Sequence, residues 1–224
     1  MAIDRWMIQQ LLSGGPPVLR FYRWSPPALS LGRHQQRWPA HWRELQDLGH
    51  FELVRRPSGG RAVLHAGELT YALVMRPGER QREAVYRHCC RWLQRAFDQA
   101  GEPLHFGQVG AACAAQRSSC FASATAADLV TADGGKRIGS AQLWHGQALL
   151  QHGSVLLDPP VALWQQVFGA EPPVLAPLPW QDTDLEQQLK LAAVEHLCDG
   201  ELNDQPLSEA EWQAVNTLIP LGQV

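Results

Sequence analysis

Three short segments of this chain carry side chains that could do chemistry. The first runs from Arg55 to His65 and holds two adjacent glycines, Gly59 and Gly60, between strand-like runs. Glycines at such a turn let the backbone approach a ligand closely and offer N–H groups to an oxygen. The flanking arginines suit a phosphate or a carboxylate. The spacing matches neither the phosphate loop nor the dinucleotide fingerprint, so alone it predicts only a glycine turn.

The second segment runs from Lys136 to Gln142. A lysine beside a hairpin turn ordinarily lies on the solvated surface. The small residues Gly139, Ser140 and Ala141 are less ordinary, because they weaken a strand unless something packs against them. A ligand that lies across this strand would explain them.

The third segment is the pair Cys120-Phe121, which precedes Lys136 by sixteen positions, counted from the cysteine. This spacing is no motif by itself, and the local hairpin cannot bring the two side chains together. If the tertiary fold does so, the lysine ammonium would stabilise a thiolate and lower the pKa of the thiol. Acyl transfer through a thioester would then be possible.

The composition is that of a soluble globular protein of 224 residues, enough for one good-sized domain. The formal charge is −3 and no run of Lys and Arg forms a stripe, so we expect no nucleic-acid partner. No apolar stretch reaches the roughly 20 residues that span a bilayer, which predicts no membrane association. Asp4 and Arg5 interrupt any secretion signal, and we therefore expect a cytoplasmic location.

The five cysteines contain no C-x-x-C pair and no zinc-ligand spacing, which predicts free thiols and no metal site. Helical periodicity places Cys89 on the core face of a helix and Cys90 on its surface. Cys113 is expected to be a small loop residue, and Cys198 completes the set. One of these free thiols could be reactive.

Periodicity and turn residues predict the elements that must position these segments. Helices are expected over residues 2–12, 38–48, 81–100, 182–197 and 208–218, the last with a Ser208–Glu211 capping box. Strands are expected over residues 18–24, 28–32, 51–55, 61–65, 69–75, 128–132, 137–144 and 148–157. Tight turns join several strand pairs, including one around Asp133-Gly134-Gly135. The fold class is therefore α+β, with mixed, mainly antiparallel sheets.

The segment 55–65, followed by Glu68-Leu69-Thr70-Tyr71, resembles the signature of the biotin/lipoate protein ligase family, and so does 136–142 followed by 150–157. Order and spacing resemble above all its cysteine-dependent octanoyltransferases, the LipM type. That branch carries a Cys-Phe pair before the lysine strand, and two glycines before an arginine where ATP-using ligases tend to have three glycines. We expect residues 1–160 to form the catalytic core, and residues 161–224 to complete the same domain as a helical region.

The resemblance implies a role for each matching residue. Cys120 would carry the acyl group as a thioester, and Lys136 would depress its pKa and later help to deprotonate the incoming lysine. The residues implied to line the acyl and thioester pocket are Arg56, Ser58, Gly59, Gly60, His65, Gly139, Ser140, Ala141, His152 and Gly153. The implied reaction moves octanoyl from octanoyl-acyl carrier protein to a lysine of a lipoyl domain or glycine cleavage H protein, without a cofactor and as a monomer.

The sequence departs from the family pattern at several points. The family has about one more strand before the position of Met1, and Ala66 stands where an aspartate often follows the histidine. Residues 125–128 replace a bulkier aromatic stretch, and the loop from Cys120 to Lys136 is one residue longer. Two alternatives stay open: an ATP-dependent lipoate–protein ligase on the same fold, and an inactive carrier-protein-binding module.

Overall fold

The computed structural model describes residues 1–79, 81–107, 128–180, 182–198 and 201–219. The helices are α1 (Ala2–Leu12), α2 (His41–Asp47), α3 (Arg82–Gln99), α4 (Val161–Phe168), α5 (Asp182–Leu197) and α6 (Glu209–Asn216). The strands are β1 (Val18–Tyr22), β2 (Ala28–Leu31), β3 (Glu52–Arg55), β4 (Val63–His65), β5 (Glu68–Met75), β6 (His105–Phe106), β7 (Asp128–Val130), β8 (Lys136–His145) and β9 (Ala148–Leu156).

The strands form one large and one small sheet. The large sheet has the order β1-β5-β9-β8-β7-β6, and every neighbouring pair in it is antiparallel. The small sheet has the order β3-β2-β4, with β2 parallel to β3 and antiparallel to β4. The predicted α+β class with mixed, mainly antiparallel sheets is therefore confirmed.

The hairpin of β7 and β8 has the turn that the sequence predicts. The Thr131 amide donates to the Gly135 carbonyl at 2.9 Å, and Gly134 adopts a φ of 87°, which glycine favours. The register shifts at a bulge between Leu129 and Val130, so that Val130 pairs with Lys136. This bulge sets which side chains of β8 point to each face of the sheet.

The helices cover the large sheet on both faces. On one face α3 packs Trp92 and Phe97 against Leu69 and Tyr71, and α5 packs on α3. On the other face α1 contributes Met7 to a cluster that includes residues of β5, β9 and α6. Because α3 lies between the sheet and α5, it is buried on two sides.

The small sheet has its own core, in which leucines of all three strands meet Trp42 of α2 and Trp164 of α4. Leu156 of β9 belongs to the same cluster and joins it to the large sheet. Within the large sheet, Arg137 of β8 is buried and bonded to both carboxylate oxygens of Glu102. Its guanidinium also donates to backbone carbonyls at 156 and 176.

Two expectations about these elements need correction. The prediction that Cys90 lies on the helix surface is wrong: Cys90 is fully buried, and Nε2 of Gln151 in β9 donates to its Sγ at 3.3 Å, so this side of α3 also faces the sheet. Helix α4 was not singled out as an element within the predicted helical region 161–224; Pro160 occupies its N-cap, and Gly169 ends it at a φ of 69°. Within the described ranges, every helix is too short or too polar to cross a bilayer.

Candidate functional site

A cavity of about 270 Å³ is lined by the large sheet, the small sheet and the turn between β3 and β4. Nine of the ten pocket residues implied by the resemblance line it: Arg56, Gly59, Gly60, His65, Gly139, Ser140, Ala141, His152 and Gly153. The tenth, Ser58, lies directly behind the wall. The fold thus gathers the two glycine-containing segments around one cavity.

One wall of the cavity is built from the small residues of β8 and β9. In their antiparallel register Ser140 pairs with Gly153, and Ala141 pairs with His152. A Cβ atom at Gly153 would lie 2.7 Å from both the Gly139 carbonyl oxygen and Cε1 of Tyr71. This close approach explains why a glycine stands within the strand, since the Tyr71 ring and the Gly139 carbonyl fill the space that a side chain would need.

The turn opposite this wall is organised by Arg56. Its buried guanidinium donates to the carbonyl of Gly59 at 3.1 and 2.9 Å, to that of Arg61 at 2.5 Å and to that of Ser30 at 2.9 Å. Arg55 likewise donates to two loop carbonyls, each at 2.9 Å. These bonds supply donors to turn carbonyls that have no strand partner. The expectation that the arginines suit an anion stays a prediction.

His65 joins the small sheet to the large one. Its Nδ1 lies 2.5 Å from Oε1 of Glu68, and its Nε2 lies 2.7 Å from the Ser30 hydroxyl. The indole of Trp24 stacks on the imidazole with ring centroids 4.5 Å apart. Thr70 donates to the same Glu68 oxygen at 2.6 Å. Both ring nitrogens are thus held, and Glu68, which was not among the predicted site residues, holds Nδ1.

His152 is held by a second carboxylate, that of Asp4. Nδ1 of His152 lies 3.2 Å from Asp4 Oδ2, and Nε2 lies 2.5 Å from the Ser58 hydroxyl. Burial alone would raise the pKa of Asp4, but the hydrogen bond from His152 and nearby positive charges, including Arg20, lower it. Sequence analysis missed Asp4 as a site residue. The available signal was the spacing of Asp4, which places an acidic residue on the same face of α1 as the buried Met7 and Leu11.

Lys136 does not behave as an ordinary hairpin lysine. Its side chain is 2% exposed, and Nζ lies 2.8 Å from Oδ1 of Asp128, which is 5% exposed. Asp128 lines the cavity, whereas Lys136 is not among the lining residues. The buried ammonium of Lys136 therefore contacts the cavity lining through the Asp128 carboxylate.

Cys120, Phe121 and Cys113 lie outside the described residues, as do 125–127 of the segment that follows. Among the described thiols, burial raises the pKa of Cys89 and of Cys90 to about 12. At neutral pH such thiols carry almost no thiolate and are poor nucleophiles. Neither of them competes for the role that the resemblance implies for Cys120.

Comparison with known proteins finds a matching family and several relatives. The model of the lipoyl protein ligase A/B catalytic domain matches residues 1–173. Octanoyltransferase LipM of Exiguobacterium sp. is 36% identical over 169 residues, covering 70% of this chain and 61% of that protein. Octanoyltransferase LipM of Carboxydothermus hydrogenoformans is 37% identical over 166 residues, covering 70% and 60%. The match thus spans about three fifths of the length of these relatives.

Solved structures share the fold. Lipoate-protein ligase A bound with ATP superposes with a TM-score of 0.78 at 19% identity, covering 97% of this chain and 87% of that one. The bipartite lipoate protein ligase of Thermoplasma acidophilum, described with its E2 lipoyl domain, gives 0.74 at 18% identity, covering 97% and 85%. The arrangement of strands and the match over residues 1–173 agree, and the chain belongs to the lipoyl protein ligase A/B catalytic domain family.

Proposed function

We propose that this chain transfers an octanoyl group from octanoyl-acyl carrier protein to a lysine of a lipoyl-carrier protein, through a thioester on Cys120. The observation that carries the proposal is that Gly139, Ser140, Ala141 and Gly153, which carry small side chains or none, line one cavity. The similarity to proteins named octanoyltransferase, at 36–37% identity, supports the same reaction.

An acyl chain is the ligand that such a wall fits best. Burying each methylene stabilises binding by about 0.8 kcal/mol, so the six methylenes of octanoyl contribute about 5 kcal/mol when fully buried. The cavity is also lined by the polar side chains of Arg61, Ser154 and Asp128, which are of the kinds that could bind a thioester oxygen or an amine. A chain-length preference would follow from how much of the tail the cavity encloses.

In the proposed reaction the Cys120 thiolate attacks the thioester carbonyl of the donor, and the carrier thiol leaves. The acceptor lysine then attacks the enzyme thioester, an amide forms, and Cys120 is released. Lys136 would place a fixed positive charge beside the sulfur, in line with its burial and its ion pair with Asp128. The acceptor would be a lipoyl domain or glycine cleavage H protein.

The second candidate is an ATP-dependent lipoate–protein ligase, because a ligase bound with ATP shares this fold. The two activities differ in what they consume. A transferase needs an acyl thioester and no nucleotide, whereas a ligase needs the free acid and ATP. Acylation that appears only with free octanoate or lipoate plus ATP and magnesium would contradict the proposal.

The test is to incubate the protein with octanoyl-acyl carrier protein and measure its intact mass. We expect an increase of one octanoyl group that neutral hydroxylamine removes, as it does a thioester. Cys120→Ala should abolish the adduct, and Cys113→Ala is the matched control that should keep it. An adduct that persists in Cys120→Ala and vanishes in Cys113→Ala would move the role to Cys113.

A further inference from the structure

Positive charge is concentrated beside the cavity, on the loops of the small sheet. The segments 32–43 and 55–67, which adjoin strands of that sheet, hold six arginines and no aspartate or glutamate. The formal charge of the whole chain is −3, so a charge of +6 in these segments leaves −9 for the rest. The protein therefore presents one strongly positive region within a negative chain.

This charge lies at the edge of the cavity that faces solvent. Of the described residues that line the cavity, three are exposed, and they are consecutive: Gly59, Gly60 and Arg61. The turn between β3 and β4 is therefore the exposed edge of the cavity. A ligand that enters the cavity from this side passes the Arg61 side chain.

A second turn lies against this edge and adds another exposed arginine. The Gln35 amide donates to the Gly32 carbonyl at 3.0 Å, which places Arg33 at the tip of the turn. The Arg33 amide donates to the Ser58 carbonyl at 2.8 Å, so the two turns are joined. The exposed residues Arg33 and Arg61 form the arginine rim of the cavity.

The two arginines next to the rim fix its backbone and add to its charge. Arg55 and Arg56 donate to the turn and loop carbonyls described above. A carbonyl satisfies a donor without cancelling its charge, and a guanidinium stays protonated at any physiological pH. By contrast, two exposed arginines of α3 each pair with a carboxylate of the same helix.

The two carriers of the proposed reaction bring opposite charges to such a rim. The acceptor delivers the ammonium of a lysine, which guanidinium groups repel. The donor delivers its acyl group on a phosphopantetheine arm, whose phosphodiester is an anion. Arginine binds phosphate and carboxylate oxygens through a planar fork of N–H donors. The rim therefore fits the donor better than the acceptor.

We infer that the arginine rim is the docking surface of the acyl donor, an anionic carrier protein that presents its phosphodiester-linked acyl chain to the cavity. The inference rests on the proposed function. It concerns the approach of the donor, so it holds wherever the reacting thiol lies. Arg33 and Arg61 are binding residues in it and act on association, because complementary charge mainly raises the rate of encounter.

The test compares two octanoyl donors, one with a carrier protein and one without. Octanoyl-N-acetylcysteamine is a neutral thioester that lacks both the phosphodiester and the protein. In Arg33→Glu, kcat/KM for loading from octanoyl-acyl carrier protein should fall about 10-fold relative to kcat/KM for the neutral thioester, the lower end of what charge steering contributes. The loss should appear in KM, and Arg33→Lys, which keeps the charge, should retain most of the ratio.

Arg91→Glu is the matched control, because it makes the same change of charge on the other side of the large sheet. Arg91 is an exposed residue of α3, the helix that packs against Leu69 and Tyr71. Thr70, between them, lines the cavity, and successive strand residues project to opposite faces. The control should leave the ratio unchanged. Equal losses in Arg91→Glu and Arg33→Glu would reflect net charge alone and overturn the inference.

Two measurements identify the cause of the effect. The difference between wild type and Arg33→Glu should shrink between about 0.1 M and 1 M salt, where the Debye length falls from about 10 Å to about 3 Å. A carrier protein that holds octanoyl through an amide cannot transfer it and reports binding alone. Its Kd, measured by fluorescence anisotropy, should rise about 10-fold or more in the double variant Arg33→Glu with Arg61→Glu.

The other outcomes are also decisive. Equal losses with both donors would show damage to the cavity and overturn the docking role. An unchanged ratio, or a larger effect on transfer to the acceptor protein than on loading, would overturn it as well. A wild-type protein that loads octanoyl from neither donor would refute the proposed function, and the amide-linked carrier would still decide the docking surface.

Discussion

Replacing Asp128 with asparagine should destabilise the protein through Lys136. The two charged atoms are 2.8 Å apart and both side chains are almost wholly buried. At an effective dielectric constant of about 20, their attraction is about 6 kcal/mol before the cost of desolvation is subtracted. Removing one partner leaves the other charge buried and uncompensated, so we expect the free energy of unfolding to fall by about 3–5 kcal/mol.

Urea unfolding at pH 7 measures this loss, and a double-mutant cycle assigns it to the pair. Lys136→Met alone should cost a similar amount. The double variant with Asp128→Leu should recover much of the loss, because apolar replacement of both partners restores a satisfied interior. Single losses below about 1 kcal/mol that add within about 0.5 kcal/mol would show that the two charges do not interact, and would refute the reasoning.

Three more predictions concern the cavity wall, the buried thiols and the buried aspartate. Gly153→Ala should lower both stability and transfer, because its Cβ would meet a backbone oxygen at 2.7 Å. The Cβ of Gly59→Ala would meet nothing within 4 Å, so this variant should fold normally. Equal stability of the two variants by thermal unfolding would contradict this prediction. Iodoacetamide at pH 7.5 should leave Cys89 and Cys90 unmodified in the native protein, as peptide mass spectrometry would show, since burial raises the pKa of each to about 12; early labelling of either would count against their burial. Because the pKa of Asp4 is lowered in the folded state, the stability from its ionisation is present above its unfolded value of about 4 and is lost as the pH falls through the folded value. Wild type should therefore lose more unfolding free energy than Asp4→Asn between about pH 4 and pH 2, and parallel profiles would exclude the linkage.

Local patterns predicted most of the elements, because they depend on residues close in the chain. The helix over 182–197 has the predicted bounds. The predicted capping box is also present: the Ser208 hydroxyl accepts from the Glu211 amide, and the Glu211 carboxylate accepts from the Ser208 amide. Helical periodicity identified one face of α3 correctly. It could not show how wide the face is that packs on the sheet, and Cys90, which accepts a hydrogen bond from Gln151 of β9, was therefore misplaced.

The site was predictable only as far as its motifs reach. The motifs shared with the family indicate ten pocket residues individually. Nine of these ten residues line the cavity. The groups that hold those residues are set by tertiary structure. Asp4 and His152 are 148 positions apart in the chain, and no local pattern connects them. The charge partner of Lys136 was likewise unassigned, because Asp128 lies across a bulged hairpin.

The adjacent cations of β8 show what that bulge controls. Lys136 pairs with Val130 and reaches Asp128, whereas Arg137 is the extra residue of the bulge and reaches Glu102 and the carbonyl of Leu156. A one-residue slip of β8 would exchange an ammonium that can lose a proton for a guanidinium that cannot. We therefore expect insertions in the turn at 131–135 to be tolerated only when they leave the register of β8 against β7 unchanged. In related sequences, we expect the length of that turn to vary only together with changes that keep Lys136 and Arg137 in their present positions.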